Sequence, residues 1–282
     1  MKALANLYSR RKRRNVIWTG LAYAATLLGL SMLVIILATL LWNGFGGLSL
    51  DVFTKNTAPP GVVGGLLNSI VGSVITTVIG LAIGAPLGIL AGTYLAEYGR
   101  NARLAVVVRF INDILLSAPS IVIGLFIYEL LVVPVGNFSA LAGGVALGVL
   151  GAPIMVRTTE DMLNLVPNTL REAASALGMP RSLVIRHVAY KAVRSGIITG
   201  VLLAIARMTG ETAPLIFTAL GNSLFTLDPR GPMSSLPLII YEFARSPYAE
   251  QQKLAWTGAL ILTFAVLALS IMARALSAQT QK

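Results

Sequence analysis

Arg207 and Glu211 are two opposite charges in a stretch that is otherwise apolar and long enough to cross a membrane. An ionised side chain at the centre of a spanning helix costs about 2.5–3.5 kcal/mol even on a lenient insertion scale. Residues four apart share one helix face, so the spacing predicts an ion pair that lowers this cost. A guanidinium also offers planar donors that fit two oxygens of an oxyanion. The pair is therefore either a structural contact or a site for an anion.

Arg109 and Asp113 repeat this spacing upstream, at the start of another apolar stretch. The spacing predicts a second ion pair within one helix. Hydroxyl groups at Thr209 and Thr212 lie beside the deeper pair and add hydrogen-bonding groups to any anion site there. A path lined by these side chains must hold its anion weakly, because a permeating ion also has to leave.

The composition shows that these charges belong to a membrane protein. Of the 282 residues, 56% are hydrophobic and only 12% are charged, and the mean hydropathy is +0.79. Soluble domains carry about 25% charged residues. Because a helix needs about 20 residues to cross the hydrocarbon core, apolar segments of that length predict an all-α membrane protein with six transmembrane helices. The six segments are residues 16–42, 65–96, 104–133, 138–157, 195–219 and 254–275.

The basic residues are distributed unevenly between the loops. They concentrate in the N-terminal tail at 1–15, in the loop after the second segment and in the loop at 157–194. The positive-inside rule places these regions, and with them both termini, in the cytoplasm. The net charge of +11 is therefore an orientation signal, and we expect membrane lipid and no nucleic acid around this surface.

Several kinds of chemistry are absent from the sequence. The chain has no cysteine, which excludes disulfides and thiolate metal ligands. No glycine-rich loop ends in the lysine that a Walker A nucleotide site requires. We therefore expect a transport subunit that is not an enzyme and binds no cofactor, with the source of energy in another polypeptide.

Small residues and prolines predict how the helices are arranged. The second segment is rich in Gly, Ser, Thr and Ala, which let helices approach closely in lipid, so we expect it at the centre of the bundle. Pro119 predicts a kink in the third segment, and Gly210 with Pro214 is expected to loosen the fifth. Residues 43–64 predict an extracytoplasmic loop, and the apolar stretch at 234–247 is too short to span the membrane.

The loop at 157–194 contains the pattern of a short helix. Thr169 and Glu172 have the spacing of a capping box, which predicts the start of the helix. Gly178, followed by Met and Pro, predicts its end. The helix is either an ordinary loop helix or a docking element for a cytoplasmic partner. The residues that fall on one side of it are Leu170, Ala173, Ala174 and Leu177.

The sequence from Glu172 to Gly178 resembles the EAA loop of ABC importer permeases. Four stretches are together similar to the permease subunits of phosphate-specific ABC importers, and they are residues 94–100, 109–126, 154–178 and 202–220. The resemblance implies the type I importer permease fold. Its core is expected at 65–276, after a first helix and loop at 16–64 and before a cytoplasmic tail at 277–282. The residues implied to contact an ATPase subunit are Glu172, Ala173, Ala174 and Gly178.

The same resemblance implies a function. A subunit of this family forms half of the translocation path of an ATP-driven importer of inorganic phosphate in the bacterial inner membrane. Its implied partners are a homologous permease subunit, an ATPase dimer that binds ATP and Mg²⁺, and an extracytoplasmic phosphate-binding protein. The residues then expected on the path are Arg207, Glu211, Thr209, Thr212, Asp113 and Arg109.

Two alternatives remain open at this point. Arg207 alone does not distinguish phosphate from sulfate or molybdate, so a permease for one of those oxyanions fits the same residues. An ion-coupled secondary carrier would use Glu211 and Asp113 as proton relays and would function without an ATPase. Such carriers often contain internal repeats, and this sequence shows none.

Overall fold

The computed structural model describes residues 2–99 and 102–279, and the side chains of residues 10–99 and 102–275. These residues form helices and no strand, which confirms the all-α class. Short π-helical stretches extend the α-helices at Tyr94–Tyr98, Tyr128–Val132 and Val184–Ala189. The α-helices are α1 (Lys2–Gly46), α2 (Leu50–Thr54), α3 (Leu67–Thr93), α4 (Arg103–Ser117), α5 (Ser120–Ile127), α6 (Val133–Val135), α7 (Ala140–Asn164), α8 (Asn168–Ala176), α9 (Arg181–Leu183), α10 (Tyr190–Ala192), α11 (Arg194–Thr209), α12 (Ala213–Thr218), α13 (Leu236–Ala244) and α14 (Ala249–Gln279).

The helices agree with the six predicted membrane crossings. Two crossings are pairs of helices with a bend between them. The first pair, Arg103–Ser117 and Ser120–Val135, bends by 107°, and the second, Arg181–Ala192 and Arg194–Thr209, bends by 75°. Of the second pair, Arg194–Thr209 corresponds to the start of the predicted segment 195–219, whereas Arg181–Ala192 belongs to the basic loop at 157–194. The other four are single helices that are long and apolar enough to span, and they cover Arg10–Gly46, Leu67–Tyr98, Ala140–Asn164 and Ala249–Ala275.

The glycine-rich second segment packs closely on α7, as its small residues predicted, but α7 and not α3 is the more buried of the two helices. A Cβ atom on Gly84 would lie 2.8 Å from the carbonyl oxygen of Gly148 on α7, and one on Gly92 would lie 2.5 Å from that of Val156. These distances leave no room for a side chain, so α3 and α7 pack backbone against backbone. The glycines that form this face of α3 recur at every fourth position, at Gly80, Gly84, Gly88 and Gly92.

The kink predicted at Pro119 is a complete break between α4 and α5. Ala118 and Pro119 have ψ angles of 136° and 130°, which are not helical. The hydroxyl of Ser117 donates to the carbonyl oxygens of Asp113 and Ile114, each at 3.0 Å, and so satisfies part of the end of α4. The third segment is therefore two helices at a sharp angle and not one long helix.

The loosening predicted in the fifth segment is also a break. α11 ends at Thr209, and α12 begins at Ala213 with Pro214 in its first turn. Because Pro214 has no backbone N–H, it cannot continue the hydrogen bonds of α11. α12 instead packs on α5, where a Cβ atom on Gly124 would lie 2.6 Å from the Cα atom of Pro214.

α1 stands apart from the other helices along most of its length. Every side chain from residue 10 to residue 39 is exposed. Near its end α1 contacts α14, where a Cβ atom on Gly44 would lie 2.8 Å from that of Leu260. The rings of Phe45 and Phe264 are 6.2 Å apart at the same contact. An apolar helix exposed in this way requires lipid or another subunit around it.

The apolar stretch at 234–247 forms α13, which is fixed to the start of α3. Ser73 accepts a hydrogen bond from the backbone N–H of Leu236 at 2.7 Å, and the hydroxyls of Ser69 and Ser234 are 2.9 Å apart. α13 also contributes to an apolar cluster that closes this end of the bundle. The buried members of that cluster are Val52, Leu66, Leu236, Ile239, Phe243 and Ala255.

Candidate functional site

Arg207 lies near the end of α11, and Glu211 lies just beyond the helix. The helix begins at Arg194, and Arg207 follows thirteen residues later in its last turn. At 1.5 Å per residue this separation is about 20 Å along the helix, against a hydrocarbon core of about 30 Å. Because Arg207 is in the last turn of α11, its guanidinium lies beside the break between α11 and α12. Irregular backbone at such a depth is tolerated where it is buried in protein or lines a water-filled cavity.

The structure confirms the predicted pairing of Arg207 with Glu211. Nη2 of Arg207 lies 3.5 Å from Oε1 of Glu211, and the two side chains are 50% and 16% exposed. A charge-assisted hydrogen bond is typically about 2.7–2.9 Å long, so this pair is loose. A guanidinium has five N–H donors, and one loose contact leaves most of them available to a ligand.

Arg207 lies on an exposed side of α11. Leu203, one turn earlier, is exposed on the same side. Met208, about 100° further around the helix, is buried, and a Cβ atom on Gly151 of α7 would lie 2.8 Å from its sulfur. A charge at this depth is disfavoured against lipid, so its open side suits a second subunit or a water-filled path.

The two predicted hydroxyls differ in position. Residues two apart in a helix point about 200° apart, so Thr209 does not share the face of Arg207. Thr209 lines an apolar groove of about 330 Å³ beside α3 and α14, and its hydroxyl donates to the carbonyl oxygen of Ile205 at 2.8 Å. Thr212 is half-buried in the break before α12, next to Glu211 in sequence.

Arg109 pairs with a residue other than Asp113, so the predicted pairing is wrong. Its Nε donates to Oε1 of Glu160 on α7 at 2.8 Å, and its Nη2 donates to the carbonyl oxygen of Leu95 at 3.4 Å. Glu160 is 7% exposed, and a buried carboxylate needs a cation more than an exposed one does. Asp113 is exposed and, in the described part of the chain, forms no ion pair. Arg109 therefore joins α4 to α7.

The predicted cytoplasmic helix is present as α8, with a different start. The residue before its first turn is Pro167, so Thr169 lies inside the helix and the predicted capping box is wrong. Proline fits this position because its φ of −62° suits a helix start and its missing N–H needs no partner there. The predicted end is correct. Gly178 has a φ of +79°, and the N–H groups of Gly178 and Met179 donate to the carbonyls of Ser175 and Ala174 in a Schellman motif.

The predicted contact residues of α8 are divided between two sides. Ala174 is 7% exposed and faces the rest of the chain. Glu172, Ala173 and Leu177 are exposed, and Leu177 is 84% exposed. The outer side of α8 therefore offers a carboxylate, a small residue and an apolar side chain to a neighbouring protein.

One arginine ties α8 to the core, and the sequence did not point to it. Arg171 donates from Nη2 to Oε1 of Glu97 at 2.7 Å and to the carbonyl oxygen of Leu163 at 2.7 Å. The side chains of Arg171 and Glu97 are 14% and 6% exposed. The carboxylate of Glu97 near the end of an apolar segment indicated that a cationic partner was needed. Spacing within a helix could not identify that partner, because Arg171 is 74 positions away.

Helices that span the membrane in up to six segments, a charged pair at a helix break and a tethered outer helix together define an ABC importer permease. The fold matches a chain of the methionine ABC transporter MetNI in an inward-facing conformation with a TM-score of 0.59. That match covers 76% of this chain and 94% of the other at 23% identity. A second crystal form of the same transporter matches with a TM-score of 0.56. At these identities the likeness concerns the fold alone.

The family of binding-protein-dependent transport system inner membrane components matches residues 84–282. The phosphate transport system permease protein PstA of Pasteurella multocida is 52% identical over 96% of this chain and 97% of its own length. PstA of Yersinia pestis is 52% identical over 95% and 92%, and PstA 1 of Mycobacterium tuberculosis is 33% identical over 94% and 88%. The chain therefore belongs to the binding-protein-dependent transport permeases and, within them, to the PstA proteins.

Proposed function

We propose that this chain is a permease subunit of an ATP-driven importer of inorganic phosphate and forms half of its translocation path. The names of its full-length relatives support phosphate as the substrate. The observation that carries the proposal is the loose Arg207–Glu211 pair on the open side of α11. The other half of the path belongs to a homologous permease subunit, and an extracytoplasmic phosphate-binding protein delivers the ion.

The pair suits an anion that must bind and leave again. Arg207 presents donors to two phosphate oxygens, and Glu211 orients the guanidinium and balances its charge when the path is empty. Glu211 also accepts a hydrogen bond from a protonated phosphate oxygen, which sulfate lacks at neutral pH. This second contact favours phosphate over sulfate and molybdate, the alternatives that Arg207 by itself leaves open.

The remaining charged and hydroxyl residues have lesser roles in this proposal. Thr212 adds a hydroxyl beside Glu211, and Asp113 contributes a carboxylate on the exposed side of α4. Arg109 lines the path with its charge offset by Glu160. The hydroxyl of Thr209 is hydrogen-bonded within its own helix, so this residue contributes only by shaping the end of α11.

The energy is supplied by a partner. An ATPase dimer that binds ATP and Mg²⁺ docks on the outer side of α8, where Glu172 meets a basic residue and Ala173 allows close approach. Ala174 seats the helix on the core, and Gly178 ends it. The chain itself then needs no cofactor. The requirement for an ATPase distinguishes such an importer from a secondary carrier, which functions without one.

The proposed setting is the bacterial inner membrane, with both termini in the cytoplasm. α8 and the segment after it carry exposed basic residues at Arg181, Arg186 and Lys191. The positive-inside rule places that side in the cytoplasm, where the ATPase is found. The apolar length of the spanning helices fits a multi-pass protein surrounded by lipid.

The test is labelled phosphate uptake in cells that lack this chain, complemented by the wild type, Arg207→Gln or Arg207→Lys. We expect both variants to assemble with the ATPase and only the wild type to transport at full rate, because lysine keeps the charge but loses the planar set of donors. Arg186→Gln is the matched control, since it removes an exposed arginine outside the membrane. Wild-type uptake by Arg207→Gln would contradict the proposed path. Complementation of sulfate uptake alone would instead assign the other oxyanion.

A further inference from the structure

The joint between α8 and the core is built around a single guanidinium. Arg171 contacts Glu97 twice, through Nη2 at 2.7 Å and Nε at 3.2 Å. Its Nη2 also donates to the carbonyl oxygen of Leu163, and its Nη1 donates to that of Val166. The carbonyl oxygen of Leu163, which also accepts from the N–H of Val166, lies in the last turn of α7, and that of Val166 lies two residues beyond the end of the helix. Arg171 therefore binds α8 to the ends of both α3 and α7.

Two more contacts attach the segment after α8 to the same end of α3. The guanidinium of Arg181 lies 4.6 Å from the ring centroid of Tyr98, in a cation–π contact. The hydroxyls of Tyr190 and Thr93 are 2.6 Å apart. The end of α3, including its π-helical turn, thus contacts both α8 itself, through Arg171, and the segment after α8. π-helical turns of this kind occur frequently at functional sites.

The end of α3 is in turn packed tightly on α7. A Cβ atom on Gly92 would lie 2.8 Å from Cβ of Thr159 and 3.2 Å from the backbone nitrogen of Glu160. Further along α7, Gly151 contacts Met208, the neighbour of Arg207 on α11. Helices packed this closely tend to move together, since a tightly packed interface leaves little space in which side chains can rearrange.

From this geometry we propose that Arg171 and Glu97 are positioning residues that pass movements of α8 into the α3–α7 pair. The proposal rests on the proposed docking of an ATPase on α8. An ion pair that is 14% and 6% exposed is suited to this task, because removing one partner leaves a buried charge without compensation. The pair thereby transmits displacement of α8 and takes no part in binding the ATPase or phosphate.

The test uses the complete transporter in proteoliposomes, with the phosphate-binding protein present. We would measure phosphate uptake, ATP hydrolysis and retention of the ATPase for Glu97→Gln, Arg171→Gln and the double variant Glu97→Gln/Arg171→Gln. The double variant distinguishes a loss of coupling from a loss of folding, because it removes both charges and leaves neither buried without a partner. Arg186→Gln again serves as the control, since Arg186 is an exposed arginine in the same cytoplasmic segment.

We expect each variant to retain the ATPase and to lose about 10-fold or more of its uptake, a typical size for a broken coupling between sites. ATP hydrolysis should continue but no longer rise when the phosphate-loaded binding protein is added. Unchanged uptake in the double variant would overturn the proposal. Loss of the ATPase from the double variant would also overturn it, because Arg171 would then belong to the docking surface.

The same experiment separates this proposal from the proposed function. The wild type alone tests the function, through phosphate uptake and through retention of the ATPase. If the wild type transports no phosphate, the substrate is wrong whatever the variants do. If the wild type transports and the double variant keeps its stimulated hydrolysis and uptake, the function stands and only the role of Arg171 and Glu97 fails.

Discussion

Two arginine–glutamate pairs in this permease differ in their distance, in their exposure and in whether they join separate helices. Arg171 and Glu97 lie 2.7 Å apart and are 14% and 6% exposed. Arg207 and Glu211 lie 3.5 Å apart and are 50% and 16% exposed. The first pair joins separate helices, whereas the second lies within four residues at a helix break. A tight buried pair is suited to hold two elements in place, and a loose open pair is suited to exchange one partner for a ligand.

The largest expected effect is on stability, at the buried pair. Removing one partner of such a pair typically costs about 3–5 kcal/mol. Glu97→Gln should therefore lower the free energy of unfolding by about that amount, measured by denaturation of the purified protein in detergent. The double variant Glu97→Gln/Arg171→Gln should recover most of the loss. A single variant as stable as the wild type would remove the contrast between the two pairs.

The next effect is on transport, at the open pair. Arg207→Gln should reduce phosphate uptake about 100-fold, because two charge-assisted hydrogen bonds together contribute about 3 kcal/mol. Its stability should change by less than about 1 kcal/mol, as for an exposed ion pair. Uptake and denaturation of the same preparation measure both quantities. A large loss of stability without a specific loss of uptake would make this pair structural.

A smaller effect is expected at the carboxylate of the open pair. Glu211→Gln keeps a hydrogen-bond acceptor but removes the charge that orients the guanidinium, so uptake should fall about 10-fold. Because the carboxylate is proposed to accept a hydrogen bond from the protonated oxygen of phosphate, competition by sulfate should increase in this variant. Competition assays with unlabelled sulfate measure the change, and equal competition in wild type and variant would exclude a role for Glu211 in selectivity.

The smallest effect is expected at Asp113, which forms no ion pair in the described residues. Asp113→Asn should leave uptake within about 2-fold of the wild type, as is usual for an exposed charge. A loss of uptake comparable with that of Arg207→Gln would place Asp113 beside the anion and extend the site from α11 to α4.

The sequence was sufficient for features that depend on neighbouring residues. Apolar length predicted the spans, Pro119 and Pro214 indicated the breaks after α4 and α11 but not the 75° bend before α11, and the four-residue spacing of Arg207 and Glu211 predicted their contact. Each of these depends on residues close together in the sequence, although Glu211 lies beyond the end of α11 and its contact with Arg207 therefore spans the helix break.

The features that the sequence did not predict depend on which helices pack together. The same four-residue spacing was misleading at Arg109, whose partner Glu160 is 51 residues away on α7. Spacing within one helix also gives no indication that Arg171 pairs with Glu97, which lies in the π-helical turn after α3. A buried carboxylate outcompetes an exposed one for a nearby guanidinium, and burial is known only when the packing is known.

The most direct test of the division between the two pairs is ATP hydrolysis by the Arg207→Gln transporter in proteoliposomes, with and without phosphate-loaded binding protein. The account predicts that hydrolysis still rises on addition of the binding protein while phosphate uptake is lost, because the joint at α8 is intact and only the anion site is missing. Uptake at the wild-type rate in this variant would contradict the account.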